Sequence, residues 1–207
     1  MVVVRLPPPT GSISPQWFTL KSGAELIRIF DPTRYSATAT GLRNYGPISR
    51  FDHHRDFPNK IDSERSVIYA GFTLSCCLVE IFGDGGVIEI KQQQIAYITL
   101  KQNLKLLDLR GSAAMAAGTV AAISSITQRD ITQKWGKYFY EHPELYSMVD
   151  GLIFSGAHNS EDALLLYERA KSHIKSADIE ILNLNHPDLL EPILEIAQVH
   201  GLIVKSN

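Results

Sequence analysis

Five polar side chains in this sequence stand inside otherwise apolar stretches: Arg28, Arg50, Tyr69, Glu80 and Ser155. Arg28 interrupts Glu-Leu-Ile-Arg-Ile-Phe, residues 25–30, and on a strand it shares a face with Leu26 and Phe30. A guanidinium on such a face needs an anion, unless the strand is an edge and the arginine points to water. Glu80 flanks the helical stripe Leu74, Leu78, Ile81 with almost no polar company. A carboxylate there is either a solvated surface group or a working one, because Glu is seldom buried without a partner. Ser155 follows Gly-Leu-Ile-Phe and opens the small polar run Ser-Gly-Ala-His-Asn-Ser. No His–Asp relay accompanies it, so it reads as a hydrogen-bonding group rather than a nucleophile. Tyr35 and His158 form a second rank. Tyr35 either serves a site or covers the core as a loop aromatic, and His158 reads more readily as a solvated loop histidine.

The elements that must hold these groups are legible from residue periodicity. Val67-Ile68-Tyr69 is a buried strand, Gly71 breaks it, and Thr73 or Ser75 caps the helix that carries Glu80. Gly83 to Gly86 is a turn leading to strand Val87 to Ile90. Further strands are expected at Ile95 to Leu100, Leu104 to Leu109, Gly151 to Phe154, Ala163 to Tyr167 and Ile179 to Leu184, with an edge strand at Leu202 to Val204. Helices are expected over the Ala-rich residues 111–125, over Asp130 to His142, and over Pro187 to His200, which Gly201 closes. Residues 1–23, with Pro7, Pro8, Pro9 and Pro15, read as an irregular leader in which Trp17 and Phe18 dock on the body. Residues 31–60 carry five Gly or Pro breaks and many Arg, Tyr and His, so they read as a long functional loop. Residues 24–207 form one domain. Short strands mixed with helices, without regular βα alternation, place it in the α+β class.

Several chemistries are set aside. Phe51-Asp52-His53-His54 invites a metal, but no second ligand cluster follows at zinc spacing, so no metal is expected. A P-loop, Gly-x-Gly-x-x-Gly and His-Glu-x-x-His are absent. Twenty basic against 22 acidic residues, net −2, argue against a broad face for nucleic acid. The adjacent Cys76 and Cys77 cannot pair without strain and read as buried thiols of a reducing compartment. No basic-then-apolar leader and no long apolar run appears, so a cytoplasmic protein without a membrane span is expected.

Taken in order, four places resemble the RES domain, a family named for its Arg, Glu and Ser. They are Arg28 in Leu-Ile-Arg-Ile-Phe, Arg50 in Ile-Ser-Arg-Phe-Asp, Tyr69 and Glu80 in Val-Ile-Tyr-Ala-Gly and Cys-Leu-Val-Glu, and Ser155 in Asp-Gly-Leu-Ile-Phe-Ser. The resemblance runs over residues 25–170. Where the family shows Gly-Gly before the second Arg, this chain has Ile48-Ser49, which narrows the approach of a phosphate to the backbone. The loop after Ser155 also has less glycine than is common in the family.

The resemblance implies an ADP-ribosyltransferase-like fold, with mixed short β-strands around a cleft and several helices. It implies an NAD-degrading toxin that cleaves the nicotinamide–ribose bond, with water or inorganic phosphate as acceptor, and an Xre-type antitoxin as partner. Transfer of ADP-ribose to a protein, or an inactive interaction domain of the same fold, are the alternatives. NAD would be the substrate. Within that frame Arg28 and Arg50 suit the pyrophosphate, Tyr69 suits stacking on a base, and Glu80 suits the positive charge that develops on the ribose. Ser155 suits the nicotinamide amide or its ribose. Glu80, Arg28 and Ser155 are thus the catalytic candidates, and Arg28, Arg50, Tyr69, Tyr35 and Ser155 the NAD-binding ones.

Overall fold

Stretches of alternating or continuous apolar residues build a single large sheet, and helices cover it. The computed structural model describes residues 3–55 and 58–206; Met1, Val2 and Asn207 of the expected leader and domain lie outside them. In chain order the elements are β1 (Trp17–Leu20), β2 (Glu25–Phe30), β3 (Tyr45–Gly46), β4 (Lys60–Ile61), β5 (Val67–Gly71), α1 (Leu74–Phe82), β6 (Val87–Ile90), β7 (Gln94–Thr99), β8 (Leu104–Asp108), α2 (Gly111–Ala116), α3 (Arg129–Glu141), α4 (Pro143–Tyr146), β9 (Gly151–Ser155), β10 (Asp162–Tyr167), α5 (Lys171–Ser176), β11 (Asp178–Asn183), α6 (Pro187–His200) and β12 (Ile203–Ser206). Eight strands form the main sheet in the order β1-β8-β9-β10-β5-β2-β7-β11. Among the described residues only β8 and β9 run parallel within it; every other neighbour is antiparallel. The architecture is α+β, as the sequence implies.

The two faces of the sheet follow strand alternation. On one face Leu26, Phe30, Ile68, Ala96, Ile98, Leu106, Ile153, Leu164 and Leu166 make a continuous layer with Ile174 of α5. The other face is divided. Over β8, β9, β10 and β5, Trp135 and Phe139 of α3 pack with Tyr146 on Leu107, Leu152, Phe154 and Leu165. Over β2 and β7, Cys77 and Leu78 of α1 and Ile193 of α6 pack on Ile27, Ile29 and Ile95. Burying each such side chain is worth about 1.5–3 kcal/mol against exposure, which is why the helices hold their places despite short lengths.

Some expectations change. Trp17–Leu20 is not irregular leader but an edge strand paired with β8 from Trp17↔Leu107 to Leu20↔Leu104. The Ala-rich stretch 111–125 is not one helix: α2 stops at Ala116, Gly118 takes φ +91°, and a single 3₁₀ turn covers Ala121–Ser124. The apolar stripe of α1 is also rotated. Cys76, Cys77, Leu78 and Val79 are its buried residues, whereas Ile81 is half exposed. Asp162–Tyr167 is a strand, and Ile203–Ser206 pairs in parallel with β6 outside the main sheet. Among the described residues no helix is long and apolar enough to cross a membrane.

Candidate active site

The sheet comes apart where β2 meets β5. Among the described residues only Ile27 and Gly71 pair across that junction. Beyond it, among the described residues, Arg28 to Phe30 pair with β7 alone, Ile68 to Ala70 with β10 alone, and Val67 with β10 and, by a single bridge, with Arg43. Both strands line a cavity of about 680 Å³ in the opening. Gly71 sits at the apex because a Cβ there would stand 3.0 Å from the Cys76 Sγ and 3.1 Å from the Cys77 Sγ. A bare backbone at that point lets α1 start directly above the split. Thr73 caps the helix, its Oγ1 accepting from the Cys76 N–H at 2.9 Å, an interaction worth about 1 kcal/mol. Both thiols are free and buried, and burial pushes them up, Cys77 to about 12, so neither is a nucleophile at neutral pH.

Five arginines line the cavity, Arg28, Arg34, Arg43, Arg50 and Arg129, against two carboxylates, Asp31 and Glu80. What each arginine meets decides how much charge is left. Arg43 is neutralised by the buried Asp52, with Nη2 2.9 and 2.8 Å from the two carboxylate oxygens. Arg34 pairs with Asp31 at 3.2 Å. The other three have no carboxylate within ion-pair distance among the described residues; their hydrogen bonds go to backbone carbonyls, and Arg28 also lies 6.0 Å from the Phe30 ring centroid. Arg28 Nη1 donates to Gly41 O at 2.8 Å and Ala39 O at 3.3 Å, Arg129 to Ile48 O at 3.1 Å, and Arg50 to Ile126 O. Burial, and then the charge of Arg43, lower the Arg28 guanidinium to about 10, so it stays charged at neutral pH. Arg50 is lowered by burial, with Glu80 opposing the shift and Arg129 adding to it. A partly desolvated cavity with three uncompensated cations is a site for an anion.

The long loop between β2 and β5 owes its shape to Asp52, a residue to which sequence reasoning assigned no role beyond the discarded metal. Besides Arg43, its Oδ2 accepts from the Ile48 N–H at 2.6 Å and the Ser49 N–H at 2.9 Å, and its Oδ1 accepts from the Tyr69 hydroxyl at 2.9 Å. The Tyr69 hydroxyl accepts in turn from the Phe51 N–H at 3.2 Å. Tyr69 therefore presents its ring to the cavity with its hydroxyl locked behind. Burial, then the Asp52 charge, push that phenol well above its ordinary value. Arg43 also closes onto β5 through paired backbone bonds with Val67 at 2.7 and 2.9 Å. His53 goes elsewhere, 3.2 Å from Glu168 and stacked on Tyr140. Among the described residues no group of three or more His, Cys, Asp or Glu could hold a metal ion.

Glu80 projects from α1 at the cavity wall and is not a lone solvated carboxylate. Its Oε1 accepts from the Ala157 N–H at 2.8 Å and lies 3.5 Å from His158 Nδ1. Those donors come from the loop after β9, which a Gly156 N–H to Glu161 O bond of 2.7 Å closes. Glu161 ties the loop to the start of α1, accepting from Ser75 Oγ at 2.6 Å and from Thr73 Oγ1. The structure thus gathers Arg28, Arg50, Tyr69 and Glu80 around one cavity. Tyr35 is at its rim with the side chain fully exposed and φ +55°. Ser155 is not among the lining residues; Phe154 and Ala163 are. Strand alternation turns Ser155 away from the side Phe154 faces, opposite Asp162 of β10. Arg43 and Arg129 also line the cavity, and Asp52 holds Arg43 and Tyr69 from behind it; no spacing in the sequence marks these three.

The RES domain family model matches residues 25–187. The chain belongs to the RES domain family. The matched span carries every strand of the split sheet except the edge strand β1, together with α1, the Asp52 loop and the loop after β9. Among solved structures the RES domain here resembles one described as the crystal structure of the M. tuberculosis MbcT-MbcA toxin-antitoxin complex, with a TM-score of 0.54 and 14% identity over 88% of this chain and 91% of that one. At that identity the likeness is one of fold. No curated protein matches the chain.

Proposed function

We propose that this RES domain cleaves the nicotinamide–ribose bond of NAD and acts as a toxin restrained by an antitoxin of the Xre type. The observation that carries the reading is the cavity itself, in which Arg28, Arg50 and Arg129 lack ion-pair partners among the described residues while Glu80 stands in the wall and the other lining carboxylate, Asp31, is paired with Arg34. Its volume of about 680 Å³ lies in the range that encloses a ligand of dinucleotide class, roughly 300–1,000 Å³. The arginines suit the pyrophosphate, and the Tyr69 ring suits a stacked base. The bond from ribose C1′ to the nicotinamide nitrogen breaks with its electron pair going to nicotinamide, which leaves neutral. The ribose passes through an oxocarbenium-like state, and Glu80 offers the negative charge that stabilises it. Water or inorganic phosphate then bonds to C1′, and water gives up its proton to solvent. Tyr35, at the rim, enters this reading as a contact to the outer base; Ser155 opens the loop whose Ala157 N–H holds Glu80. The fold likeness to a toxin crystallised with its antitoxin supports the partner.

The test is incubation of purified protein with NAD, with and without phosphate, following free nicotinamide by chromatography. Nicotinamide is expected to appear, with ADP-ribose or its 1-phosphate as co-product reporting the acceptor. A folded protein that releases none under either condition overturns the enzyme reading, and ADP-ribose found on a protein chain instead marks a transferase.

A further inference from the structure

We propose that His158 is the positioning residue of Glu80, gripping its carboxylate from outside the cavity while Asp84 orients the imidazole. This rests on the reading of Glu80 as the catalytic carboxylate. Three observations converge. His158 Nδ1 lies 3.5 Å from Glu80 Oε1, and Nε2 lies 3.0 Å from Asp84 Oδ1, so the ring spans the last turn of α1 and the turn that follows. The Ala157 N–H reaches the same Oε1 at 2.8 Å, so both contacts fall on one oxygen of a residue that lines the cavity. The ring lies flat across Gly83, where a Cβ would stand 2.6 Å from His158 Cδ2 and 3.0 Å from Nε2. The chain is bare of a side chain at the place the ring occupies.

The loop that carries His158 is itself fixed. Asn159 Nδ2 donates to Glu161 Oε1 at 2.7 Å, and Glu161 is held by Ser75 and Thr73. His158 is thus delivered by a braced turn, with 27% of its side-chain surface still in solvent. At 3.5 Å the contact with Glu80 is electrostatic more than a full hydrogen bond, and apo sites commonly tighten such contacts when substrate arrives. A neutral imidazole can donate to one of the two carboxylates and an imidazolium to both. The Asp84 side chain is 87% exposed, so its part is orientation and its loss costs little. The effect on the reaction belongs to the Glu80 contact, because a misplacement of about 1 Å at a reacting group is worth on the order of 100-fold in rate.

Steady-state nicotinamide release from NAD separates the outcomes, measured for the wild type, His158→Leu, His158→Asn and Gly83→Ala. Gly83 has φ −59° and ψ −43°, so alanine fits its backbone, and the atoms nearest its methyl are those of the His158 ring. We expect kcat to fall roughly 10- to 100-fold in His158→Leu and Gly83→Ala, with KM within about threefold. His158→Asn, whose amide nitrogen stands near the place of Nδ1, should restore most of kcat; a packing role would favour Leu over Asn. Should His158→Leu fold poorly, Gly83→Ala alone decides. Full kcat in His158→Leu and Gly83→Ala, in an active wild type, overturns this proposal alone. A wild type that releases no nicotinamide overturns it together with the reading of Glu80.

Discussion

Asp52→Asn isolates what holds the arginine-rich loop in register with the split sheet. The change keeps size and one carbonyl oxygen. It removes the charge that neutralises Arg43 and replaces with an amide donor one of two oxygens that together receive the Ile48 and Ser49 N–H groups, the Tyr69 hydroxyl and the Arg43 Nη2. Taking one partner from a buried ion pair costs about 3–5 kcal/mol. Arg43 keeps 29% of its side-chain surface in water and can relax toward solvent, which puts the cost at the lower end, about 3 kcal/mol. For a chain of this size each kcal/mol shifts the melting temperature by about 2–4 °C, so a drop of about 6–12 °C is expected in a thermal melt. Because Tyr69 loses the acceptor that locks its hydroxyl, binding of NAD should weaken even well below the melt, measured by calorimetry at about 20 °C, far under the usual melting range. A variant whose melt is indistinguishable from that of the wild type would refute the assignment of Asp52 as the anchor of this loop.

Glu80→Gln should lower turnover of NAD by at least about 100-fold, the scale of losing one preorganised electrostatic contact at a charged transition state, and leave the melt unchanged. The amide oxygen introduced by that change still accepts from the Ala157 N–H, so a collapse of the melt would instead make Glu80 structural. Stability should fall as pH falls from about 7.5 to about 5 in urea titrations, the window that brackets the ordinary histidine value. Burial lowers both His53 and His54, so the unfolded chain takes up protons first, from about 6.5 downward, and draws the equilibrium toward itself. Glu168 works at lower pH. Burial raises it, but hydrogen bonds from His53 and Tyr140 outweigh that and hold it at about 2, so its contribution is lost as pH falls from the ordinary carboxylate value toward about 2. Stability that is flat or rising as the pH drops through that histidine window would contradict the burial of the two histidines.

The parts of this molecule that were legible in its sequence are those governed by local periodicity. β2 and β5 announce themselves as near-continuous apolar runs because both of their faces are covered, and α6 announces itself by a one-sided apolar period closed by Gly201. Arg28 and Glu80 stood out as charges set into apolar stretches. β1 did not announce itself, because Trp17–Leu20 is a half-exposed edge whose partner lies some ninety residues on, and nothing near it in the chain records that pairing. The same physics hid Asp52 and Arg43. Their bond spans nine residues of irregular loop, so it has no period, and the neighbouring histidines drew attention to metals instead. Ser155 shows the reverse case. A strand followed by a small polar loop is a true local signal, but the face a strand-end residue presents depends on register, and register with Asp162 turns it from the cavity wall that Phe154 lines. The loop it introduces matters through its next residues: Ala157, which nothing in the sequence marks, and His158, a second-rank candidate there, are the ones that reach Glu80. A carboxylate that reads as solvated on its own helix becomes a held one only when a second segment, seventy-seven residues away, supplies the donor.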